Sequence, residues 1–576
     1  MNIEVAKYLL ESLIERIDRG SIGTVSSGER EALGVALSLL KEDHRVSLTP
    51  PQEEVRDRIS DTLPAVPASP SRPTPVEEPL REKPSVTVKT VELNLDAIHK
   101  YEVDEPDLLM CLDFGTAMSK AFAMSVDGQS YELELGAEAG GEGYAVPSSV
   151  FISDAGKVLF GFEAVEGSQE LVDSGRQRLD SIKSWLSLRV EGDLDAYILS
   201  KELNPSEVKL TEGDLIRIYL AYLTDLGVTQ LQTWFSSEKP SHRHVRRRFA
   251  HPCWPSAAQK TWADRLMRQW LAEAQILADT FHGQWKGGID VALVKAAVDK
   301  VRSLPRRPEY LIAEGVPEPV AVAAGALVDG QEKRLPFVVI DVGAGTTDFG
   351  LFILRENEED ESSRVFQVPG SIKALLQAGD KVDGMLKKFI LDAQAVDVTD
   401  SQGRLVAADL SRRIRRLKER LFETGEVKYV LADSTPGRIN QEDFLASRPM
   451  REFAERVQTG FRAVLESIDD TWLNYLSQAG LSVILTGGGA KLPMMKELAQ
   501  GWVEVRGKRI TRTGVNPLPS WIPEQTPDLE PVYPQLAVAI GGAAAELPET
   551  VEGPQAFGGG GGRSSYAAGS LQLSGA

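Results

Sequence analysis

Residues Phe337 to Leu354 read FVVIDVGAGTTDFGLFIL. An apolar run ends in Asp341, Gly343 and Gly345 turn the chain, Thr346 and Thr347 follow, and Asp348 opens a second apolar run. This is a strand, a tight turn and a strand. Glycine lets backbone N–H groups approach phosphate oxygens closely, and threonine hydroxyls add donors. A carboxylate at the strand end suits Mg²⁺ held through its waters. One such turn also describes an ordinary hairpin, so its weight comes from repetition.

The design recurs at Leu108 to Met124, LLMCLDFGTAMSKAFAM, where Asp113 ends the strand and Gly115 and Thr116 turn it. A third segment, Leu481 to Ala499, LSVILTGGGAKLPMMKELA, runs a buried strand into Gly487, Gly488 and Gly489 before Pro493 opens a helix. Close backbone approach at such a strand-to-helix turn suits a ribose or an adenine. A Walker loop would need GKS or GKT ahead of a helix, and the chain contains neither.

Outward from these turns, short apolar strands alternate with long helical stretches from 107 to 547, an α/β signature. The 576 residues exceed one ordinary domain. Residues 1–45 read as a helical hairpin, with Val5, Leu9, Leu13 and Ile17 on one face and Ser26 and Glu29 at capping-box spacing. So small a core is expected to dock on something else. Residues 46–106 form a proline-rich linker and lead-in, and 548–576 a glycine-rich disordered tail.

A net charge of −20 argues against a general nucleic-acid or anionic-membrane binder. The two cysteines, Cys111 and Cys253, build no disulfide framework and no zinc spacing. No apolar run reaches the roughly 20 residues that span a bilayer, and the acidic N-terminus is unlike a secretory signal. A cytoplasmic protein is expected.

Taken in order, the three turns resemble the two phosphate loops and the adenosine loop of the actin-like ATPase superfamily. The body is most similar to the ATPase domain of DnaK-type heat-shock chaperones. VPSSVFISDAGKVLFGFEA (Val146 to Ala164), SIKSWLSL (Ser181 to Leu188) and HPCWPSAAQK (His251 to Lys260) resemble successive segments of that domain. LQAGDKVDGML (Leu376 to Leu386) resembles the stretch after its second loop. EPVAVAAGAL (Glu318 to Leu327) and QLAVAIGGAAA (Gln535 to Ala545) resemble its two interdomain connecting helices. The resemblance implies a two-lobed fold of duplicated ribonuclease-H-like lobes.

It also implies roles. Asp113, Asp341 and Asp348 would hold Mg²⁺ through water, and Gly115, Thr116, Gly343, Gly345 and Thr346 would cradle the β- and γ-phosphates. Lys183 and Glu318, with Asp341 and Thr346, would place the attacking water. Lys418, Gly487, Gly488, Gly489 and Lys491 would hold the nucleoside, and Pro252 falls at a switching proline. Several positions depart from the family pattern. Ala117 and Met118 replace a threonine and an asparagine, Lys260 and Lys491 each stand where an arginine is usual, and the stretch near 192–239 is longer than expected. Residue 547 is followed by a glycine-rich stretch in place of a peptide-binding domain, so the chaperones' peptide-holding mechanism does not carry over.

The function expected is a nucleotide-gated switch that binds ATP and Mg²⁺, hydrolyses ATP slowly to ADP, and meets a protein partner through the N-terminal helices or a lobe surface. An actin-like filament former, a small-molecule kinase and a non-hydrolysing ATP binder are the alternatives. HRHVRRRF (His242 to Phe249) reads as a solvated loop entering a strand, ENEEDES (Glu356 to Ser362) as a solvated hairpin tip, and the tryptophans at 234, 254, 262, 270 and 285 as packing.

Overall fold

The structure, a computed structural model, describes residues 90–169, 175–188, 192–235, 242–254, 256–325, 336–356, 363–519 and 521–551, all in one compact unit, Val88–Ala576. The expected helical hairpin at 1–45, most of the linker, the 357–362 hairpin tip and the tail beyond 551 lie outside the described residues. Among the described residues no helix is long and apolar enough to cross a membrane.

The first sheet contains β1 (Leu108–Asp113), β2 (Met118–Ser125), β3 (Ser130–Glu132), β4 (Val146–Pro147), β5 (Arg246–His251) and β6 (Val316–Pro317). Its order is β3-β2-β1-β5-β6, with β4 on β2. The first three strands run antiparallel, whereas β5 lies parallel to β1 and β6 parallel to β5. Three long helices pack on this half: α1 (Glu212–Gln232), α2 (Ala257–Phe281) and α3 (Val291–Arg302). α1 opens on a capping box of Thr211 and Asp214, and eighteen of its residues are buried. The long 192–239 stretch thus supplies a central core helix. Helix α4 (Glu318–Gly325) follows β6.

The second sheet contains β7 (Pro336–Val342), β8 (Thr347–Glu356), β9 (Ser363–Gln367), β10 (Lys373–Leu375), β13 (Leu481–Thr486), β14 (Gly501–Val505), β15 (Lys508–Val515) and β16 (Glu549–Thr550), with a separate hairpin of β11 (Glu426–Val430) and β12 (Pro436–Asn440). Its order is β14-β15-β13-β7-β8-β9-β16, with β10 on β8. Strands β7, β8 and β9 run antiparallel, β13 lies parallel to β7, and β15 parallel to β13. The runs β3-β2-β1-β5-β6 and β9-β8-β7-β13-β15 therefore repeat one strand order and one set of senses. Helices α5 (Gly379–Ala393), α6 (Ser401–Thr424) and α7 (Arg448–Ser467) cover the second sheet.

A third core lies between the sheets. Cys111, Phe122 and Ala250 from the first and Phe337, Val339, Phe352 and Ile484 from the second enclose α4 and α8 (Tyr533–Gly542). Both helices are apolar on nearly every side, as buried helices must be.

Three segments differ from their expected character. The basic run from His242 is buried: Arg243 pairs with Asp225 and Asp279, and His242 stacks on Phe235. Arg247 and Arg248 are buried as well, on Gln275 and on the Gly542 and Ala544 carbonyls, which leaves Arg246 as the exposed arginine of the run. The lead-in around Leu93 and Ala97 is packed onto the first half, where Tyr310 donates to the Ala97 carbonyl. Glu549 and Thr550, placed in the tail by composition, pair with β9.

Candidate functional site

The β1–β2 hairpin fixes the first turn. Its register places Asp113 opposite Lys120, and the Lys120 ammonium lies 3.0 Å from Asp113 Oδ2. A Cβ on Gly115 would overlap the Met118 carbonyl oxygen, so the tight turn requires glycine. Ser148 Oγ donates to the Gly115 carbonyl at 2.6 Å and lies 2.8 Å from Ser119 Oγ; the Tyr219 hydroxyl donates to the Pro147 carbonyl at 3.1 Å. Burial raises the Tyr219 phenol to about 12, so it stays a neutral donor. Tyr219→Phe is expected to cost about 1–2 kcal/mol in urea unfolding, because it strands buried acceptors behind the turn. An unchanged midpoint would remove this support from the turn.

The β7–β8 hairpin builds the second turn, closed by Gly343 N–H donating to the Thr346 carbonyl at 2.9 Å. The two turns meet. A Cβ on Gly345 would stand 2.8 Å from Thr116 Oγ1. Register places Asp341 opposite Asp348, and both are buried. Asp341 Oδ1 accepts from Thr486 Oγ1 at 2.9 Å, and Asp348 Oδ1 accepts from the Cys253 backbone N–H at 2.6 Å. Among the described residues the other oxygen, Oδ2, makes no hydrogen bond of ordinary geometry, although the Thr346 side chain lies close enough to favour the ionised carboxyl.

Lys183 and Glu318 come from segments far apart in the chain, yet Lys183 Nζ lies 2.6 Å from Glu318 Oε1 with both side chains buried. Burial alone would lower the lysine; Glu318, Asp113 and Asp348 outweigh it and hold the ammonium above its usual range. Burial and then the charge of Glu318 push Asp341 up to about 7. The same two causes raise Asp348.

Four carboxylates thus converge with two ammonium groups. Asp113 pairs with Lys120 and Glu318 with Lys183; among the described residues Asp341 and Asp348 make no direct ion pair and feel these two ammonium groups only at longer range. Such a site is stabilised by protons or by a divalent cation. No group of three or more His, Cys, Asp or Glu side chains among the described residues is arranged to chelate a metal directly. Asp348 Oδ2 and the glycine turns fit a hydrated cation held at one remove.

The third turn abuts the second. Gly487 takes φ 81°, and a Cβ there would lie 2.9 Å from Asp341 Oδ1; Gly488 has open space above it, and Gly489 presses on Val342. Lys418 Nζ pairs with Asp383 at 2.9 Å and donates to the Gly379 carbonyl at 3.2 Å. Gly379 N–H in turn donates to the Gly343 carbonyl at 3.1 Å, so Lys418 stands behind the second turn. Lys491 is exposed on the short helix after Gly487. The structure therefore gathers every expected phosphate-side and metal-side residue at one point and leaves Lys491 at the rim.

Above the turns opens a cleft of about 1650 Å³, with Ala117, Met118 and Ser149 on one wall and α6 with the β11–β12 hairpin on the other. Ser181 Oγ donates across it to Asp380 Oδ2 at 2.8 Å.

Lys120, Thr486 and the Cys253 amide are site groups beyond those expected from the sequence. Lys120 was recoverable, since it follows Asp113 by seven positions just as Asp348 follows Asp341 in the matching turn. Thr486 and Cys253 carried no local signal, because they reach the site only through parallel pairing and packing between the sheets. No model of a known protein family matches the chain.

Proposed function

We propose that this chain is a DnaK-like ATPase on a two-lobed actin-like fold, binding Mg²⁺·ATP between its sheets and acting as a nucleotide-gated switch. One observation carries the reading. Two hairpin turns, one from each of two sheets with the same strand order, bring Thr116 and Gly345 together over a buried cluster of Asp113, Asp341, Asp348 and the Lys183–Glu318 pair. Fold resemblance alone would not give function; the excess of buried carboxylate beside two glycine turns is what asks for a cation and a polyphosphate.

When bound, Mg²⁺ would neutralise phosphate charge and hold the phosphates in line. Asp341 and Asp348 would orient its waters. The N–H groups of the two turns and the hydroxyls of Thr116 and Thr346 would hold the phosphate oxygens. Lys183, with its ammonium fixed by Glu318, would orient the attacking water and stabilise charge developing on the γ-phosphate. The α4–α8 pair between the sheets is where closure and opening of the halves would be accommodated.

Lys183→Ala is expected to lower ATP turnover by about 100-fold or more while changing ATP affinity only a few-fold. It should also destabilise the fold by about 3 kcal/mol, because Glu318 is left buried and unpaired. The double variant Lys183→Met, Glu318→Gln should regain stability without regaining turnover. Single-turnover hydrolysis alongside urea unfolding checks this. Full turnover in Lys183→Ala would remove the proposed role.

A further inference from the structure

The chain carries a net charge of −20, yet one wall of the cleft is basic. Residues 412–420 of α6 place Arg412, Arg413, Arg415, Arg416, Lys418 and Arg420 within nine positions. Arg412 and Arg413 pair with Asp409, Arg415 with Asp380, and Lys418 with Asp383. Arg416, Arg420 and, from β11, Lys428 make no ion pair among the described residues; all three are exposed and line the cleft.

Aliphatic surface is interleaved with these cations. Val430 is 54% exposed beside Lys428, and Val165, Ile414 and Met118 also line the space. The unpaired cations beside the exposed Val430 and the half-buried Val165 and Met118 give this space both positive charge and apolar surface, complementary to an anionic amphipathic ligand.

We propose that this upper cleft receives an extended acidic peptide with aliphatic side chains, contributed by a partner protein. Its carboxylates would pair with Arg416, Arg420 and Lys428, and its alternate side chains would cover Val430 and Val165. The chemistry disfavours a nucleic acid, which needs accessible aromatic faces for stacking. The aromatic rings lining the space are Phe162, packed on Gly141, and Tyr429, buried and packed on Gly437. The acidity of the rest of the chain also repels a long polyanion, while a short acidic segment can lie within the basic wall.

The walls belong to the two halves of the molecule, so peptide affinity depends on nucleotide if the switch proposed above operates. That dependence rests on the ATPase reading; the peptide site itself does not.

Fluorescence anisotropy of the full chain with a fluorescein-labelled peptide of ten alternating glutamates and leucines tests this, with and without Mg²⁺·ATP. The expected result is salt-sensitive binding that falls at least tenfold in the triple variant Arg416→Glu, Arg420→Glu, Lys428→Glu. The Mg²⁺·ATP affinity of that variant should match the wild type, which also reports that it is folded. Nucleotide-independent binding lost in the triple variant supports the peptide site and removes the switch. Absence of binding by the wild type in either nucleotide state overturns the proposal. So does equal affinity for an alternating lysine–leucine peptide, or tighter binding of a ten-nucleotide thymidine strand through the same three residues.

Discussion

Asp341→Asn is expected to abolish Mg²⁺-dependent ATP turnover and, in the metal-free protein at pH 8, to raise the melting temperature. The two effects have one cause. Asp341 is buried beside Glu318 and Asp113, and its carboxyl is pushed up to about 7. Ionising it inside the folded protein therefore carries a penalty of roughly 4 kcal/mol. Asparagine keeps the acceptor for Thr486 Oγ1 and discards the charge, so a gain of about 1–3 kcal/mol is expected after relaxation. A chain of this size then melts a few degrees higher.

The sign with pH follows from the raised value. A carboxyl whose folded-state pKa lies above its unfolded one favours the folded state while protonated. That contribution is fully present below about pH 4 and is lost as pH rises through about 7. The stability gap between variant and wild type should therefore open between about pH 4 and 7 and stay flat above pH 8. Asp180 and Asp279, held low by Arg178 and by His244 and Arg243 against the opposing effect of burial, pull the other way in both proteins and cancel in the difference. Thermal unfolding in EDTA across this range measures it. A variant less stable than wild type at pH 8 would show that the cluster is not short of positive charge.

The second large effect is expected at the crossing of α4 and α8. A Cβ on Gly541 would overlap the Ala321 carbonyl oxygen, and Gly325 lies against the same point. The obstacle is backbone in a buried helix, which has no rotamer to change. Gly541→Ala is expected to destabilise the protein by about 3 kcal/mol or more in urea unfolding. It should also slow turnover, because α4 begins at Glu318 and displacing the helix moves Glu318 from Lys183. Gly488→Ala is the control: nothing lies within 4 Å of its Cβ position. Its stability should change by under about 0.5 kcal/mol while ATP affinity falls. Equal melting of Gly541→Ala and wild type would mean that the helices do not cross this closely.

How much of this was legible in the sequence follows the range of each interaction. The two hairpins were readable because a strand, a tight glycine turn and a strand are local, and because the design occurs twice. The carboxylate at each strand end was readable for the same reason. The Lys183–Glu318 pair was suggested by family resemblance alone, since 135 residues separate its members. Asp348 was visible as a carboxylate after a turn, but its partner, the Cys253 amide, arrives from the loop that follows β5 of the other sheet. The His242–Phe249 run shows the opposite failure. Its composition reads as solvated, whereas burial of Arg243 between two aspartates from α1 and α2 depends wholly on tertiary structure. The two sheets' common strand order was suggested by family resemblance alone, because β5 and β13 each join their sheet after a long excursion through helices.

The central proposal is that the meeting point of the two glycine turns binds ATP with Mg²⁺. Isothermal titration of ATP into the full-length protein, with Mg²⁺ and with EDTA, tests it most directly. The predicted result is saturable binding of one ATP per chain, strengthened at least tenfold by Mg²⁺, with adenosine much weaker and Asp341→Asn losing most of the Mg²⁺ effect. No saturable binding at millimolar ATP, or binding indifferent both to Mg²⁺ and to Asp341→Asn, would contradict it.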